Sequence, residues 1–491
     1  MRLFTGLVFL LLTNISIAAA IDERVKTMIP ELSEIIDNGE YTNAEKLITQ
    51  YILKTGDTIL PEDRARLLWE KEKLKRIRLD YTLSAEDLQK ALAKKIKDFK
   101  PGEFREWDES RMFDKRVIDG KTWYINPSVS NLFFRYRDIY PRAIEWKDLG
   151  KKAQDYLSLV TSITGEYATT KQPLLAQTTF ILTLEIRTDT AGMKKNELLR
   201  CWLPIPLSIP RQINITILES TPTYKKQIAT PEFACLYFEQ PVTGDTAVFT
   251  VKTKYNSYAY YNPVNPEKVI PYEKTDPEYV SNIKTRTPHE EPSAELIELT
   301  KFITANETNP YLKAKMIYDW IAENIKYSFA NEYSTLDNLS KYTYEHMYGD
   351  CGQIGMLFIT LCKLSGIPAR WQSGWTIIPG EEGMHDWTEI YIPPYGWLPV
   401  DPHRGSFEMH YGSFTLDPEQ CRKVRDFFFG NIDQYRFVIN NNHSYTLIPS
   451  KKHFRAEIVD FQRGELETVD TGFYFDKFKC TVKSENVSYA K

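Results

Sequence analysis

The sequence predicts an α+β protein built from several domains. A chain of 491 residues is longer than one compact hydrophobic core supports, so we expect about three domains. Residues 21–100 repeat apolar side chains with the 3.6-residue period of helices. Residues 178–260 instead hold runs of β-branched and aromatic residues separated by turns, which is typical of antiparallel strands. After residue 293, helix and strand patterns alternate.

The first twenty residues are typical of a secretory signal peptide. A basic Arg2 precedes the apolar stretch 3–12, and the small residues 18–20 suit a cleavage site. No later stretch reaches the roughly 18 consecutive apolar residues that a membrane helix needs. We therefore predict a signal peptide at residues 1–20, no stable membrane span after its removal, and a periplasmic or extracellular protein.

The next two regions are predicted to be a mainly helical domain at residues 21–165 and a β-sandwich-like domain at residues 172–262. Within the first, Asp119-Gly120 lies between apolar residues and predicts a two-residue β-hairpin turn. Within the second, five strand-like runs are separated at intervals typical of a sandwich. The proline- and charge-rich residues 263–292 are expected to be a linker.

The last two regions are predicted to be a catalytic core at residues 293–445 and C-terminal strands at residues 446–491 that complete or cap this core. A net charge of −4 gives no basis for nucleic-acid binding. Six cysteines are too few for a disulfide scaffold in a chain of this length. Cys201 and Cys235 fall in the strand-rich region, and we expect them to pair if a disulfide forms.

The core contains a thiol, an imidazole and a carboxylate in the order that cysteine acyl-transfer chemistry uses. Cys351 stands in Gly-Asp-Cys-Gly, His385 begins His-Asp-Trp, and Asp401 ends Leu-Pro-Val-Asp. In such chemistry the thiolate attacks a carbonyl, the imidazole takes and returns the proton, and the carboxylate fixes the imidazole tautomer.

The pattern around these residues predicts the elements that present them. Residues 354–364 are an apolar helix pattern, which Gly366 and Pro368 end, so Cys351 opens a buried helix. We expect the helix N-terminus to lower the thiol pKa and to offer N–H groups to an oxyanion.

Three strands are predicted to follow this helix, at residues 369–378, 385–392 and 397–401, with a turn at 393–396. In an antiparallel pair joined by that turn, His385 opens one strand and Asp401 closes its neighbour. Residues at such positions lie opposite each other, so the carboxylate is expected to reach the imidazole.

The stretch 290–410 resembles the core of the transglutaminase-like superfamily, which has a papain-like fold and a Cys-His-Asp triad. The resemblance rests on several ordered motifs: the helix at 313–325, Tyr327, Gly349-Asp350-Cys351-Gly352, residues 366–370, His385-Asp386-Trp387 and residues 397–402. It implies Cys351 as nucleophile, His385 as base and acid, and Asp401 as the orienting group. Because the family supplies a further oxyanion group from upstream, Tyr327 is a candidate for oxyanion support, although a structural tyrosine fits equally well. Gln353, two residues after Cys351, is the other candidate for oxyanion support.

Other interpretations of these residues stay open. His403 is a rival base, and Asp350 and Asp386 are expected to serve in loops or caps. Trp375, Trp387 and Trp397 are candidates for a substrate cleft, with core packing as the alternative. A zinc site built from Cys351, His385, Asp401, His403 and His410 is conceivable, but the spacing matches no zinc motif.

The predicted function is cysteine-dependent acyl transfer on amide or peptide bonds, with hydrolysis favoured over cross-linking. Protein, peptide or cell-wall peptide substrates fit this chemistry, and we predict no metal and no cofactor; no calcium-binding loop of the EF-hand type is visible. One alternative is a protein-glutamine transglutaminase. Another is a non-catalytic peptide- or glycan-binding protein that uses the same fold.

Overall fold

A computed structural model describes residues 22–144, 149–378 and 382–489, and it confirms an α+β fold. The predicted signal peptide lies outside the described residues. Within the described ranges, no helix combines the length and the apolar character that crossing a membrane requires.

The N-terminal region is mainly helical, with one small antiparallel sheet in the order β1-β3-β2. The hairpin predicted at Asp119-Gly120 joins β2 to β3, with Ile118 opposite Lys121. Ser84 caps α5 in a capping box with Asp87. The elements are α1 (Glu23–Met28), α2 (Leu32–Asp37), α3 (Tyr41–Thr55), α4 (Pro61–Asp80), β1 (Tyr81–Leu83), α5 (Ala85–Lys95), α6 (Pro101–Glu109), β2 (Lys115–Ile118), β3 (Lys121–Ile125), α7 (Ser128–Arg135) and α8 (Leu149–Thr170).

The remaining elements form the β domain, the core and the C-terminal segment. The β domain contains β4 (Leu174–Asp189), β5 (Leu198–Pro204), β6 (Gln212–Thr221), β7 (Lys226–Ala229), β8 (Ala234–Pro241) and β9 (Thr246–Tyr260). The core contains α9 (Pro277–Asn282), α10 (Ala294–Thr304), α11 (Pro310–Asn324), β10 (Lys326–Tyr327), α12 (Leu339–His346), β11 (Tyr348–Gly349), α13 (Cys351–Leu364), β12 (Ala369–Thr376), β13 (Gly383–Ile392), β14 (Gly396–Val400), α14 (Pro402–Tyr411), α15 (Pro418–Phe427) and β15 (Arg436–Asn440). The chain continues with β16 (Glu465–Glu467) and β17 (Phe478–Tyr489).

Two four-stranded antiparallel sheets make up the β domain, in the orders β17-β4-β9-β6 and β16-β5-β8-β7. Their inner faces share one apolar cluster that includes Leu184, Trp202 and Phe249. Sheets that pack in this way form a sandwich.

The C-terminal strands differ from the expectation that they complete or cap the core. β17 pairs with β4, with Val482 opposite Leu184, and β16 pairs with β5. Both strands therefore cover edges of the β domain that would otherwise expose unpaired backbone groups. The segment before them, residues 441–464, does contact the core, because His443 bonds to Glu290 and Gln462 bonds to Asp386.

The prediction that Cys201 and Cys235 would pair if a disulfide formed is wrong. In the β5–β8 ladder Cys201 lies opposite Phe238, whereas Cys235 lies opposite Pro204, so the two thiols are out of register by three residues. All six cysteines, each in a described range, are free.

The core sheet has the order β14-β13-β12-β15, and the apolar helix α13 packs on it. The three strands predicted after the helix that Cys351 begins are β12, β13 and β14. At Gly374 in β12, a Cβ would lie 1.7 Å from the carbonyl oxygen of Phe437, so only glycine permits this close pairing with β15. Trp375 and Phe437 join the β-domain cluster, which ties the core sheet to the sandwich.

The segment predicted as a linker, residues 263–292, lies along the core. Ile270 donates its N–H to the carbonyl of Pro393, and Tyr272 donates to the carbonyl of Tyr391. Glu290 is buried, and its carboxylate accepts a hydrogen bond from Lys363. These contacts attach the segment to α13 and to the strand and loop that follow the predicted base.

Candidate active site

Cys351 is the first residue of α13, as the sequence predicts. Asp350 caps this helix by accepting from the Gln353 N–H at 3.0 Å, and the Gln353 Oε1 accepts from the Asp350 N–H at 3.1 Å. This capping box fixes the backbone at Cys351. Gln353 is 1% exposed and is engaged in the cap, so its suggested part in oxyanion support stays a prediction.

The thiol of Cys351 does not have the lowered pKa that its helix position predicts. Its Sγ donates to Oδ2 of Asp386 at 3.4 Å. Burial and the carboxyl groups of Asp386 and Asp350 raise the thiol pKa well above its ordinary value, because each disfavours a negative charge on sulfur. The resting side chain is therefore a neutral thiol, and the helix dipole is outweighed.

His385 and Asp401 form the pair that the sequence predicts. The imidazole Nε2 lies 2.7 Å from Asp401 Oδ2, and both residues are buried. Asp401 follows β14 and caps α14 by accepting from the Arg404 N–H. Burial lowers the pKa of His385 although Asp401 acts to raise it, so the imidazole is neutral near pH 7.

A fully buried arginine completes this pair. Arg436, on β15, donates from Nη1 to Asp401 Oδ2 at 3.0 Å and from Nη2 to Asp433 Oδ2 at 2.8 Å. Although burial alone would raise it, the pKa of Asp401 is held below its usual range by His385 and Arg436. Asp401 is thus an ionised carboxylate with its charge compensated.

The structure brings the predicted residues together as two pairs. Among the described residues, no hydrogen bond joins Cys351 to His385; the thiol bonds to Asp386, and the imidazole bonds to Asp401. His385 and Asp386 are neighbours on β13, where successive side chains take opposite faces. The sequence predicted a loop or cap position for Asp386, whereas it lies on β13 and bonds to the Cys351 thiol. Its position next to His385 in the sequence was the feature that could have indicated a place in the site.

Tyr327 lies on β10 and lines the same cavity as Cys351. Its ring packs against His403 with centroids 4.7 Å apart, and burial raises the pKa of its hydroxyl well above the ordinary value. A neutral phenol is a hydrogen-bond donor, which suits oxyanion support, and that role stays a prediction.

The three candidate cleft tryptophans are engaged elsewhere. The indole N–H groups of Trp375, Trp387 and Trp397 donate to the carbonyl of Gln462, to Gln372 and to Glu278, respectively. None of the three is among the described residues that line the cavity at Cys351. Core and surface packing therefore account for their contacts.

His403 lies beside the predicted pair, and with His385 and Asp401 it offers ligand atoms within 4.8 Å of one another. Both Asp401 oxygens already accept hydrogen bonds, from His385 and Arg436 on one and from the Arg404 N–H on the other. This donor set suits an orienting carboxylate better than a metal ligand. The structure does not gather Cys351 or His410 into this group.

The cavity at Cys351 has a volume of about 260 Å³ and an acidic lining. It is built from the end of α4, the residues after β10, the start of α13, β13 and the segment before β16. Its ionisable residues are Asp80, Glu332, Asp350, Cys351, Asp386, Glu457, Asp460 and Arg463, together with Tyr327 and Tyr333.

Two bacterial proteins of uncharacterised function are similar to part of the chain. YebA of Bacillus subtilis is 25% identical over 122 residues, which are 21% of this chain and 16% of that protein. A Haemophilus influenzae protein is 25% identical over 211 residues, which are 38% of this chain and 55% of that protein. The matches thus span at most about half of either relative's length.

Among solved structures, the chain is similar to a cysteine protease candidate from Cytophaga hutchinsonii, with a TM-score of 0.41 and 14% identity over 64% of this chain and 92% of that one. The periplasmic domain of TgpA from Pseudomonas aeruginosa has a TM-score of 0.26 and 12% identity over 52% of this chain and 94% of that one.

The family model of the transglutaminase-like superfamily core matches residues 297–402. This range includes α11, α13 and the strands β12, β13 and β14. Cys351 begins α13, His385 lies on β13, and Asp401 directly follows β14. The chain therefore contains, at residues 297–402, a core of the transglutaminase-like superfamily.

Proposed function

We propose that the protein is a cysteine-dependent acyl-transfer enzyme that hydrolyses amide or peptide bonds. The observation that carries this proposal is the buried His385–Asp401 pair, 2.7 Å apart, with Arg436 on the same carboxylate oxygen. An imidazole held in one tautomer by an ionised carboxylate is the general base that a neutral thiol requires.

The proposed reaction begins when the Cys351 side chain turns from Asp386 towards His385. It then gives its proton to the imidazole as sulfur bonds to the substrate carbonyl carbon. The N–H groups at the start of α13, with Tyr327, stabilise the oxyanion. His385 then returns the proton to the leaving nitrogen as the C–N bond breaks, which leaves a thioester. Water, deprotonated by His385, attacks the thioester and releases the acid and the thiol.

Hydrolysis is favoured over cross-linking because the cavity beside the thiol is acidic. Carboxylates stabilise the ammonium form of an amine, and an ammonium group has no lone pair with which to attack a thioester. A protein-glutamine transglutaminase is the alternative, in which a neutral amine replaces water. A non-catalytic peptide- or glycan-binding role makes no demand on Cys351.

Export is part of the proposal and rests on residues 1–20. Expression in a bacterial host with a periplasm, followed by mass measurement of the mature N-terminus, tests it. Cleavage near Ala20 and recovery from the periplasm are expected, whereas an uncleaved protein in the cytoplasm would contradict export.

Turnover of p-nitrophenyl acetate tests the acyl-transfer chemistry without knowledge of the natural substrate. We expect p-nitrophenolate release that Cys351→Ser abolishes, whereas Cys480→Ser serves as the matched control and retains it. Added pentylamine should leave acetate as the main product. N-acetylpentylamine as the main product would favour the transglutaminase alternative, and equal release by Cys351→Ser would overturn the proposal.

A further inference from the structure

The cavity beside Cys351 is lined by more carboxyl groups than the basic side chains around it can pair with. Six of its lining residues are Asp or Glu, and Arg463 is the one basic residue among the described residues that line it. Arg463 already donates to Glu457 at 3.0 Å. Asp350, Asp386 and Asp460 form no ion pair in the part of the chain that the structure describes.

Asp460 is the member of this group that points to a ligand. It is 4% exposed, it lines the cavity, and its Oδ1 is buried with no hydrogen-bond partner. A buried carboxylate oxygen without a partner costs free energy that a bound hydrogen-bond donor would recover. A ligand with a hydrogen-bond donor would satisfy this oxygen, and a cationic donor would in addition offset the surrounding carboxyl groups.

The arrangement suits an organic cation better than a metal ion. Where the structure describes the chain, the one group of three whose ligand atoms lie within 4.8 Å of one another is His385, Asp401 and His403. The cavity carboxylates are spread around a space of about 260 Å³ instead of converging on a point. An ammonium group on a flexible chain can donate three hydrogen bonds in different directions.

We propose that this cavity binds a primary ammonium group of the substrate, next to the carbonyl that Cys351 attacks. The inference rests on the proposed function and names its substrate class, namely amides or peptides that carry an alkylammonium or free amino group close to the scissile bond. The carboxylates keep the ammonium group protonated, so it cannot attack the thioester. Its role is to hold the substrate in the cavity.

The protonation of the cavity agrees with such a ligand. Burial and neighbouring carboxylates raise the pKa of Asp386 and Asp460 well above the ordinary value, and that of Asp350 to about 6. An ammonium ion would reverse these shifts, since an opposite charge favours the ionised form.

Charge-selective thiol reagents test the inference without a natural substrate. We would measure, by peptide mass spectrometry at low salt, the rates at which 2-aminoethyl and 2-sulfonatoethyl methanethiosulfonate modify Cys351. At Cys351 the ratio of the modification rate with the ammonium reagent to that with the sulfonate reagent should be at least about tenfold larger than the same ratio at Cys480. Asp460→Asn should reduce this excess at least threefold, and the exposed Asp470→Asn is the matched control.

Competition on the unmodified protein gives an independent readout. Cadaverine should slow the modification of Cys351, whereas 1,5-pentanediol at the same concentration should not. Equal protection by the diol, stronger protection by Ca²⁺, or equal rates for the two reagents would overturn the inference. Charge preference without acylation by p-nitrophenyl acetate would instead refute the proposed function and leave the cation site in place.

Discussion

Two groups of buried carboxylates meet at the start of β13, and they differ in whether their charge is compensated. On one side Asp401 and Asp433 share Arg436, whose guanidinium lowers the pKa of both carboxyl groups, and His385 lowers the pKa of Asp401 further. On the other side, among the described residues, the Asp386 carboxyl group has hydrogen bonds only to the Cys351 thiol and to the Gln462 amide. A compensated group can hold a base in one geometry, whereas an uncompensated group has capacity for a ligand.

The difference also separates stability from function. Ion pairs on the Arg436 side offset the desolvation of two carboxylates, so removal of one partner leaves a buried charge. On the Asp386 side, burial and the neighbouring carboxyl groups disfavour ionisation, and the folded state bears the cost of leaving these groups without a cation. Natural proteins tolerate such local conflicts chiefly at functional sites.

The largest expected effect is on turnover. Cys351→Ala should abolish p-nitrophenolate release because no nucleophile remains. Asp401→Asn should reduce the rate roughly 10³-fold, since the imidazole loses its tautomer but the thiol stays. Steady-state kinetics on variants whose circular dichroism matches the parent would check this, and an Asp401→Asn rate within tenfold of the parent would contradict the role assigned to the pair.

The next effect concerns the compensated side. Arg436→Gln should lower the free energy of unfolding by about 3–5 kcal/mol, because Asp401 and Asp433 lose their shared cation. Urea unfolding measures this, with Arg187→Gln as an exposed control whose change should stay within about 0.5 kcal/mol. A loss no larger than that of the control would show that the buried charges do not depend on Arg436.

A smaller effect concerns the acidic side and has a defined pH window. The pKa of Asp350 is raised to about 6 in the folded protein, against an ordinary value of 3.8. The folded state thus binds this proton more tightly, so the contribution is present below about pH 4 and is lost as pH rises through 6. Asp350→Asn, which keeps the helix cap, should remove about 2 kcal/mol of this decline in urea titrations at pH 4 and pH 7.

If the free energy of unfolding of Asp350→Asn falls between pH 4 and pH 7 as much as that of the parent, groups other than Asp350 cause the pH dependence. Asn338→Asp is a useful control, because it places a carboxyl group at the N-cap of α12, outside the cavity lining.

The smallest effect is a shift in the reactivity of the thiol. Because burial, Asp386 and Asp350 raise the Cys351 pKa, alkylation by iodoacetamide should rise with pH to an inflection above 9. Asp386→Asn should lower this inflection, because it removes a carboxyl group that disfavours the thiolate. An inflection below pH 7 that disappears in His385→Ala would reveal a preformed thiolate–imidazolium pair and contradict the neutral resting thiol.

Local patterns predicted the elements that carry the predicted triad. The apolar run of α13 and the stop at Gly366 placed Cys351 at a helix start, and alternation placed His385 near the beginning of a strand. The turn between β13 and β14 brought Asp401 within reach of His385, although not directly opposite it as predicted. Thr388 pairs with Val400, so Asp401 lies just beyond the ladder. These predictions depend on hydrophobic periodicity and turn residues, which can be recognised within about ten consecutive residues.

Contacts between distant segments were beyond such patterns. Nothing near Asp460 or Gln462 indicates that they reach Asp386, more than 70 residues earlier in the chain. The pairing of β17 with β4 likewise joins strands almost 300 residues apart, and many strands share their alternation. The thiol pKa was predicted in the wrong direction because the helix dipole is visible in sequence and the enclosing carboxylates are not.

Detection of an acyl group on Cys351 tests the central claim most directly. After rapid mixing with p-nitrophenyl acetate and acid quench, peptide mass spectrometry should find one hydroxylamine-labile acetyl group on Cys351, in an amount that His385→Ala sharply reduces. Acetylation confined to lysines, or a Cys351 acetyl that forms equally fast without His385, would contradict the account.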